Sequence, residues 1–134
     1  MTLTVKSRLT CVQCDATYRE LDKHGIEYEV EFLDVDAAAL EGAKALGYLQ
    51  APVAVLSNEA IDLIFGKLTE DEAKQVALNP HWSGFRPDMI EELAQRLKEK
   101  GVPRLTEEEV RERAAARKAR KDQLKAELLG QVAA

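Results

Sequence analysis

Cys11 and Cys14 hold the only two thiols of the 134-residue chain, with Val12 and Gln13 between them. Two thiols at this spacing can close a disulfide or share a metal ion. A zinc site needs about four ligands, and the only other soft ligands, His24 and His81, stand at no zinc-finger spacing from the cysteines. A two-cysteine redox pair is the leading reading, with a metal site and inert core cysteines as the alternatives. No stretch of about 18 apolar residues is present to span a bilayer, and the N-terminus lacks a charged-then-apolar leader. A cytoplasmic setting is therefore expected, where a lone structural disulfide would be reduced and transient redox work explains the pair better than stapling.

Stepping outward from the cysteines, the chain alternates strand and helix. Leu3 and Val5 alternate with polar residues from Thr2 to Ser7, the pattern of a short strand. A helix follows from the cysteines, with Val12, Ala16, Tyr18 and Leu21 expected on or near one face, and His24-Gly25 as its stop. Glu27 to Leu33 reads as a second strand with Tyr28, Val30 and Phe32 on one face. Asp34 or Asp36 can cap a helix from Ala37 to Leu46 that stops at Gly47, and Pro52 to Leu56 reads as a third strand with proline at its first position.

From Ser57 to Asn79 an apolar run, Ile61 to Phe65, precedes a capping box at Thr69 to Glu72 and a short helix expected to end near Leu78. His81 to Pro87 contains the single tryptophan, and Pro87 suits the first turn of a helix reaching Gly101. Thr106 to Glu109 opens a last helix whose apolar stripe, Val110, Ala114, Leu124 and Leu128, is interrupted by Arg117, Lys118 and Lys121. Such a helix is expected to pack weakly, as a solvated terminal helix, a partner-binding or dimerising arm, or a nucleic-acid arm. Charge follows the same division: residues 1–103 carry 18 acidic and 11 basic side chains, residues 104–134 carry 6 and 8. The acidic body argues against nucleic acid as the main ligand. With 46% hydrophobic residues the chain has material for one core, hence one decorated domain.

Four segments together resemble the NrdH-redoxins, glutaredoxin-like proteins with thioredoxin-like activity: Cys11 to Thr17, Leu21 to Ile26, Leu46 to Val53 and His81 to Pro87. The resemblance implies a thioredoxin/glutaredoxin-like α/β fold, a four-stranded mixed sheet with flanking helices, here with a helical insertion and a C-terminal helical extension. It divides the chain into a glutaredoxin-like domain, 1–101, interrupted by an insertion at 58–79, and an extension, 102–134. The activity implied is thiol-disulfide exchange with no resident cofactor and no metal. Its partners would be a flavin-containing thioredoxin reductase as electron source and the large subunit of class Ib ribonucleotide reductase as client, with no nucleic acid and no membrane.

Residue by residue, the resemblance makes Cys11 the attacking thiol at a helix N-terminus, where comparable sites titrate between ~3.5 and ~7.5, and Cys14 the resolving thiol. Val12, Gln13, Ala51 and Pro52 would bind substrate, Pro52 through a cis bond that aims the Ala51 backbone at an extended segment. Arg8 would stabilise the thiolate. Trp82, Ser83, Gly84, Phe85, Arg86 and Pro87 would form a protein-docking surface in place of a glutathione site, because Pro87 has no N–H to offer a carboxylate. Two departures stand out: Lys6 where the family carries an aromatic residue, and Leu9 where it carries proline. A general disulfide reductase, a glutathione-dependent glutaredoxin and a redox-sensing binding module are the alternatives.

Overall fold

A computed structural model describes residues 2–133, with side chains described through residue 130. In chain order the elements are β1 (Leu3–Ser7), α1 (Val12–Lys23), β2 (Tyr28–Phe32), α2 (Ala37–Ala45), β3 (Val53–Leu56), α3 (Asn58–Phe65), α4 (Glu70–Gln75), β4 (His81–Ser83), α5 (Pro87–Glu99) and α6 (Glu107–Ala133). The strands form one mixed sheet in the order β2-β1-β3-β4. β1 pairs in parallel with β2, and β3 runs antiparallel to both β1 and β4. A parallel pair needs a crossover, and α1 supplies it.

Alternation in β1 sends Leu3 and Val5 into the main core, where they meet Cys14, Tyr18 and Leu21 of α1 and Ile90, Leu93 and Leu97 of α5. The other sheet face is covered by α2, whose Ala39 and Ala43 pack with Leu33 and Val53. Asp36 caps α2 by accepting the Ala39 N–H at 3.0 Å. Asp34, the other candidate cap, has a different task described below. Lys6 lies beneath α2 with its side chain only 12% exposed, donating to Glu31 at 2.9 Å and to the Ala39 carbonyl at 3.2 Å.

Three expectations are corrected. Val12 does not share the buried face of α1: it is 84% exposed, and that face is Cys14, Thr17, Tyr18 and Leu21. The helix opened by Thr69 ends at Gln75, short of Leu78, which folds back into the core. The segment ahead of it forms a full helix, α3, capped by Ser57 and contributing Ala60 and Ile64 to the same core.

A further correction concerns α6. Its half-buried positions are 110, 114, 117, 121, 124, 125 and 128, which follow steps of four and three residues, with 125 beside 124, and so keep one face inward. Arg117 and Lys121 thus occupy the inward stripe instead of interrupting it. The chain enters α6 through Arg104, whose guanidinium donates to the Lys23 carbonyl, and Leu105, whose N–H donates to the Gly25 carbonyl. Reciprocal bonds between Thr106 and Glu109 form the capping box. From there Arg113 meets Glu27, Arg117 meets Asp22 and Lys121 meets Asp15. The contacts move toward the start of α1 as α6 proceeds, so the two helices run antiparallel.

Candidate active site

Register brings the site together. Lys6 of β1 lies opposite Val53 of β3, and Val53 lies opposite Ser83 of β4. The residues just beyond, the loop from Arg8 to Cys11, Pro52, and Gly84-Phe85, therefore meet at one end of the sheet. The Ala51-Pro52 bond is cis, and Pro52 is fully buried. Gly84 has φ +83° and donates its N–H to the Pro52 carbonyl at 2.9 Å. That left-handed turn allows the Phe85 N–H to reach the Gln13 side-chain carbonyl at 3.1 Å, tying β4 to the cysteine helix.

Cys11 is the N-cap of α1, in extended conformation, and is joined to Cys14 in a disulfide with a Cα separation of 5.2 Å. Its Sγ receives the Cys14 backbone N–H at 3.2 Å. The two sulfurs differ in access: Cys14 is fully buried and Cys11 is partly exposed. One sulfur can meet an incoming molecule and the other can only meet its neighbour.

The approach to Cys11 is held by Asp34, whose carboxylate accepts the Leu9 N–H at 3.0 Å. A proline at position 9 would have no N–H to give, so Asp34 supplies a tether that the departure from the family pattern makes possible. Leu9 itself is 4% exposed and plugs the loop into the body. Arg8 is exposed on the same loop.

Of the segment expected to dock a protein, Trp82 faces the core at 2% exposure, so it supports the surface from beneath. Ser83 donates to the Gln50 carbonyl at 3.1 Å. Phe85 is 38% exposed, and Arg86 forms a two-pronged pair with Asp88 at 3.0 and 2.8 Å. That hydrogen-bonded pairing holds the Asp88 carboxyl below, and the Arg86 guanidinium above, their ordinary ranges. Pro87 opens α5 at its first turn. Leu49, on the loop leading to Pro52, is 86% exposed. In the sequence, an apolar residue ahead of a strand gives no sign of facing water.

The histidines are not brought to the cysteines. His24 caps the far end of α1, a 12-residue helix about 18 Å long. His81 lies on β4 with its ring bonded to the Tyr48 hydroxyl at 2.7 Å, on the α2 side of the sheet.

Comparison with known proteins gives the family. A glutaredoxin family model matches residues 2–61. A glutaredoxin-like protein NrdH of Salmonella typhimurium is 34% identical over 93 residues, covering 69% of this chain and 89% of the relative. The chain belongs to the NrdH glutaredoxin-like family. The Escherichia coli K12 NrdH protein is 36% identical over the same shares of the two chains. The solved structure of E. coli NrdH-redoxin is 33% identical, covers 68% of this chain and 92% of the other, and superposes with a TM-score of 0.49. As a member of the NrdH family with its two cysteines joined, the protein is a thiol-disulfide oxidoreductase of thioredoxin/glutaredoxin-like fold. No described helix is long and apolar enough to cross a membrane.

Proposed function

We propose that this protein carries electrons from a flavin-containing thioredoxin reductase to the large subunit of class Ib ribonucleotide reductase in the cytoplasm. The observation that supports it most is the asymmetry of the dithiol: an accessible Cys11 at a helix start, a sealed Cys14, and Pro52 beside them. In this reading the Cys11 thiolate attacks one sulfur of the client disulfide, breaking the S–S bond. The departing client thiolate takes a proton, and a mixed disulfide remains. Cys14 loses its proton and attacks Cys11 Sγ, expelling the second client thiolate, which is protonated in turn. Two electrons have passed to the client, and Cys11–Cys14 is left oxidised for the reductase to restore.

Val12 and Gln13 flank the attacking sulfur, and the Ala51 backbone ahead of Pro52 is positioned to pair with an extended client segment. Ser83, Gly84, Phe85, Arg86 and Pro87 form the docking rim, with Trp82 packed beneath. Arg8 adds positive charge near the thiolate. Preference for a protein reductant over glutathione is supported by the start of α5, where Pro87 lacks an N–H and Arg86 is occupied by Asp88.

Cys14→Ser should accumulate a mixed disulfide with the client, and Cys11→Ser should accumulate none. NADPH oxidation with thioredoxin reductase should be fast, and with glutathione and glutathione reductase slow. Efficient turnover only with glutathione overturns the assigned electron source, and adducts through Cys14 in the absence of Cys11 reverse the thiol roles.

A further inference from the structure

We propose that Lys121, on the C-terminal helix, tunes the Cys11 thiolate by neutralising Asp15, making α6 a working part of the redox centre. Asp15 stands four residues after Cys11, and its N–H donates to the Cys11 carbonyl at 3.1 Å in the first turn of α1. That bond closes the first turn, so Asp15 sits one turn, about 5.4 Å, along the axis from the N-cap cysteine. An unpaired carboxylate there opposes formation of a negative sulfur and cancels part of the favourable field of the helix start. Lys121 donates to Asp15 at 3.0 Å. Its side chain is only 16% exposed, whereas Asp15 is 44% exposed, so the cation is the member held in place.

The placement is enforced over the length of the interface. Four residues earlier on the inward stripe, between Val110 and Leu128, Arg117 is fixed over the Tyr18 ring at 4.4 Å and paired with Asp22. That anchor sets the register that brings Lys121 to Asp15. The other charges around the site are Arg8 on the loop, Asp34 bonded to the Leu9 N–H, Arg19 exposed one turn beyond Asp15, and the mutually satisfied Arg86 and Asp88. None of these is bonded to Asp15, so Lys121 is the cation that offsets it among the described residues. The proposal concerns the dithiol itself and holds whichever reductase and client the protein serves.

The test is the pH dependence of Cys11 alkylation by iodoacetamide in the reduced full-length protein, with the thiolate absorbance as a second readout. Cys14 is fully buried, so the fast alkylation reports Cys11. Lys121→Gln should raise the midpoint by about half to one pH unit, lowering the thiolate fraction below the midpoint by about three- to tenfold. Asp15→Asn should lower the midpoint, the double variant should return near wild type, and Lys121→Arg should retain it. An unchanged midpoint in Lys121→Gln overturns the proposal. So does an equal rise in Lys121→Gln and Lys121→Arg, which would reveal a packing effect. If Lys121→Gln fails to fold, Asp15→Asn still decides: a midpoint that does not fall removes the charge coupling.

Discussion

Arg117 is the residue whose removal reads out most directly how α6 is held. Its guanidinium sits 4.4 Å from the centre of the Tyr18 ring and 5.7 Å from that of Tyr28, the two rings being stacked 6.1 Å apart. It also donates to the Tyr28 hydroxyl and pairs with Asp22 at 3.5 Å, with only 18% of its side chain exposed. A partly desolvated cation over aromatic faces contributes about 1–2 kcal/mol, and a hydrogen bond from a charged group about 1.5–3 kcal/mol. Methionine in its place keeps helix propensity and regains some contact with the ring. Asp22 keeps the Tyr28 hydroxyl as a donor at 3.0 Å, so no buried carboxylate is stranded. The net cost of Arg117→Met is then about 2 kcal/mol, or a fall in Tm of roughly 6–10 °C for a chain of this size. Hydrogen exchange should show lost protection in α6, with β1 losing no more than the fall in global stability. Arg117→Lys should recover only part of the loss, since an ammonium neither stacks nor forks as a guanidinium does. A Tm within about 1 °C of wild type, with α6 protection intact, would refute this account of the docking.

Three further expectations rest on buried phenols, a loop tether and a left-handed glycine. Burial raises the pKa of Tyr28, and of Tyr18, above the ordinary value of 10.0. The native state therefore keeps protons that the unfolded chain has released. Stability should be complete below about pH 10 and fall above it by up to ~1.4 kcal/mol per pH unit for each such phenol. Denaturant titrations of wild type and Tyr28→Phe should diverge in slope there, and identical slopes would contradict it. Asp34→Ala should cost about 1–2 kcal/mol in thermal unfolding, because the Leu9 N–H loses its acceptor; Asp34→Asn should restore most of it, and a neutral Ala variant would show that the loop needs no tether. Gly84→Ala should cost about 1–2 kcal/mol in denaturant unfolding through its φ of +83° alone. The space beside it is open, the nearest atom to an added Cβ being Gln13 Oε1 at 3.4 Å.

Much of the fold and the redox pair was legible because the signals are local. Alternation at Leu3 and Val5, the Asp36 and Thr106 caps, glycines after α1 and α2, and the cysteine spacing each work within a few residues. What escaped depends on partners distant in sequence. Asp34 has the same residue type as a helix cap, and only the fold reveals that its carboxylate faces Leu9, 25 residues away. Leu78 reads as a helix end until the core claims it. Lys6 departs from an aromatic pattern, yet its ammonium is satisfied by Glu31 across the strand pair and by the Ala39 carbonyl from α2. Neither acceptor can be anticipated without the sheet register.

The expected interruption of the α6 stripe failed for a reason that carries into its role. A hydrophobic stripe scores arginine and lysine as breaks, but a helix docking on an acidic surface places cations on its inward face. Asp15, Asp22 and Glu27 supply that surface along α1 and the turn after it, and they take Lys121, Arg117 and Arg113 in order. The basic tail and the acidic body are thus complementary within one chain, and three of the tail's cations pair with carboxylates of the body. The docking also leaves the mouth of the site open, since Val12 and Leu49 remain 84% and 86% exposed. A helix that reaches the turn carrying the cysteines without covering Cys11 can alter the charge felt by the thiolate while a protein partner still approaches the sulfur.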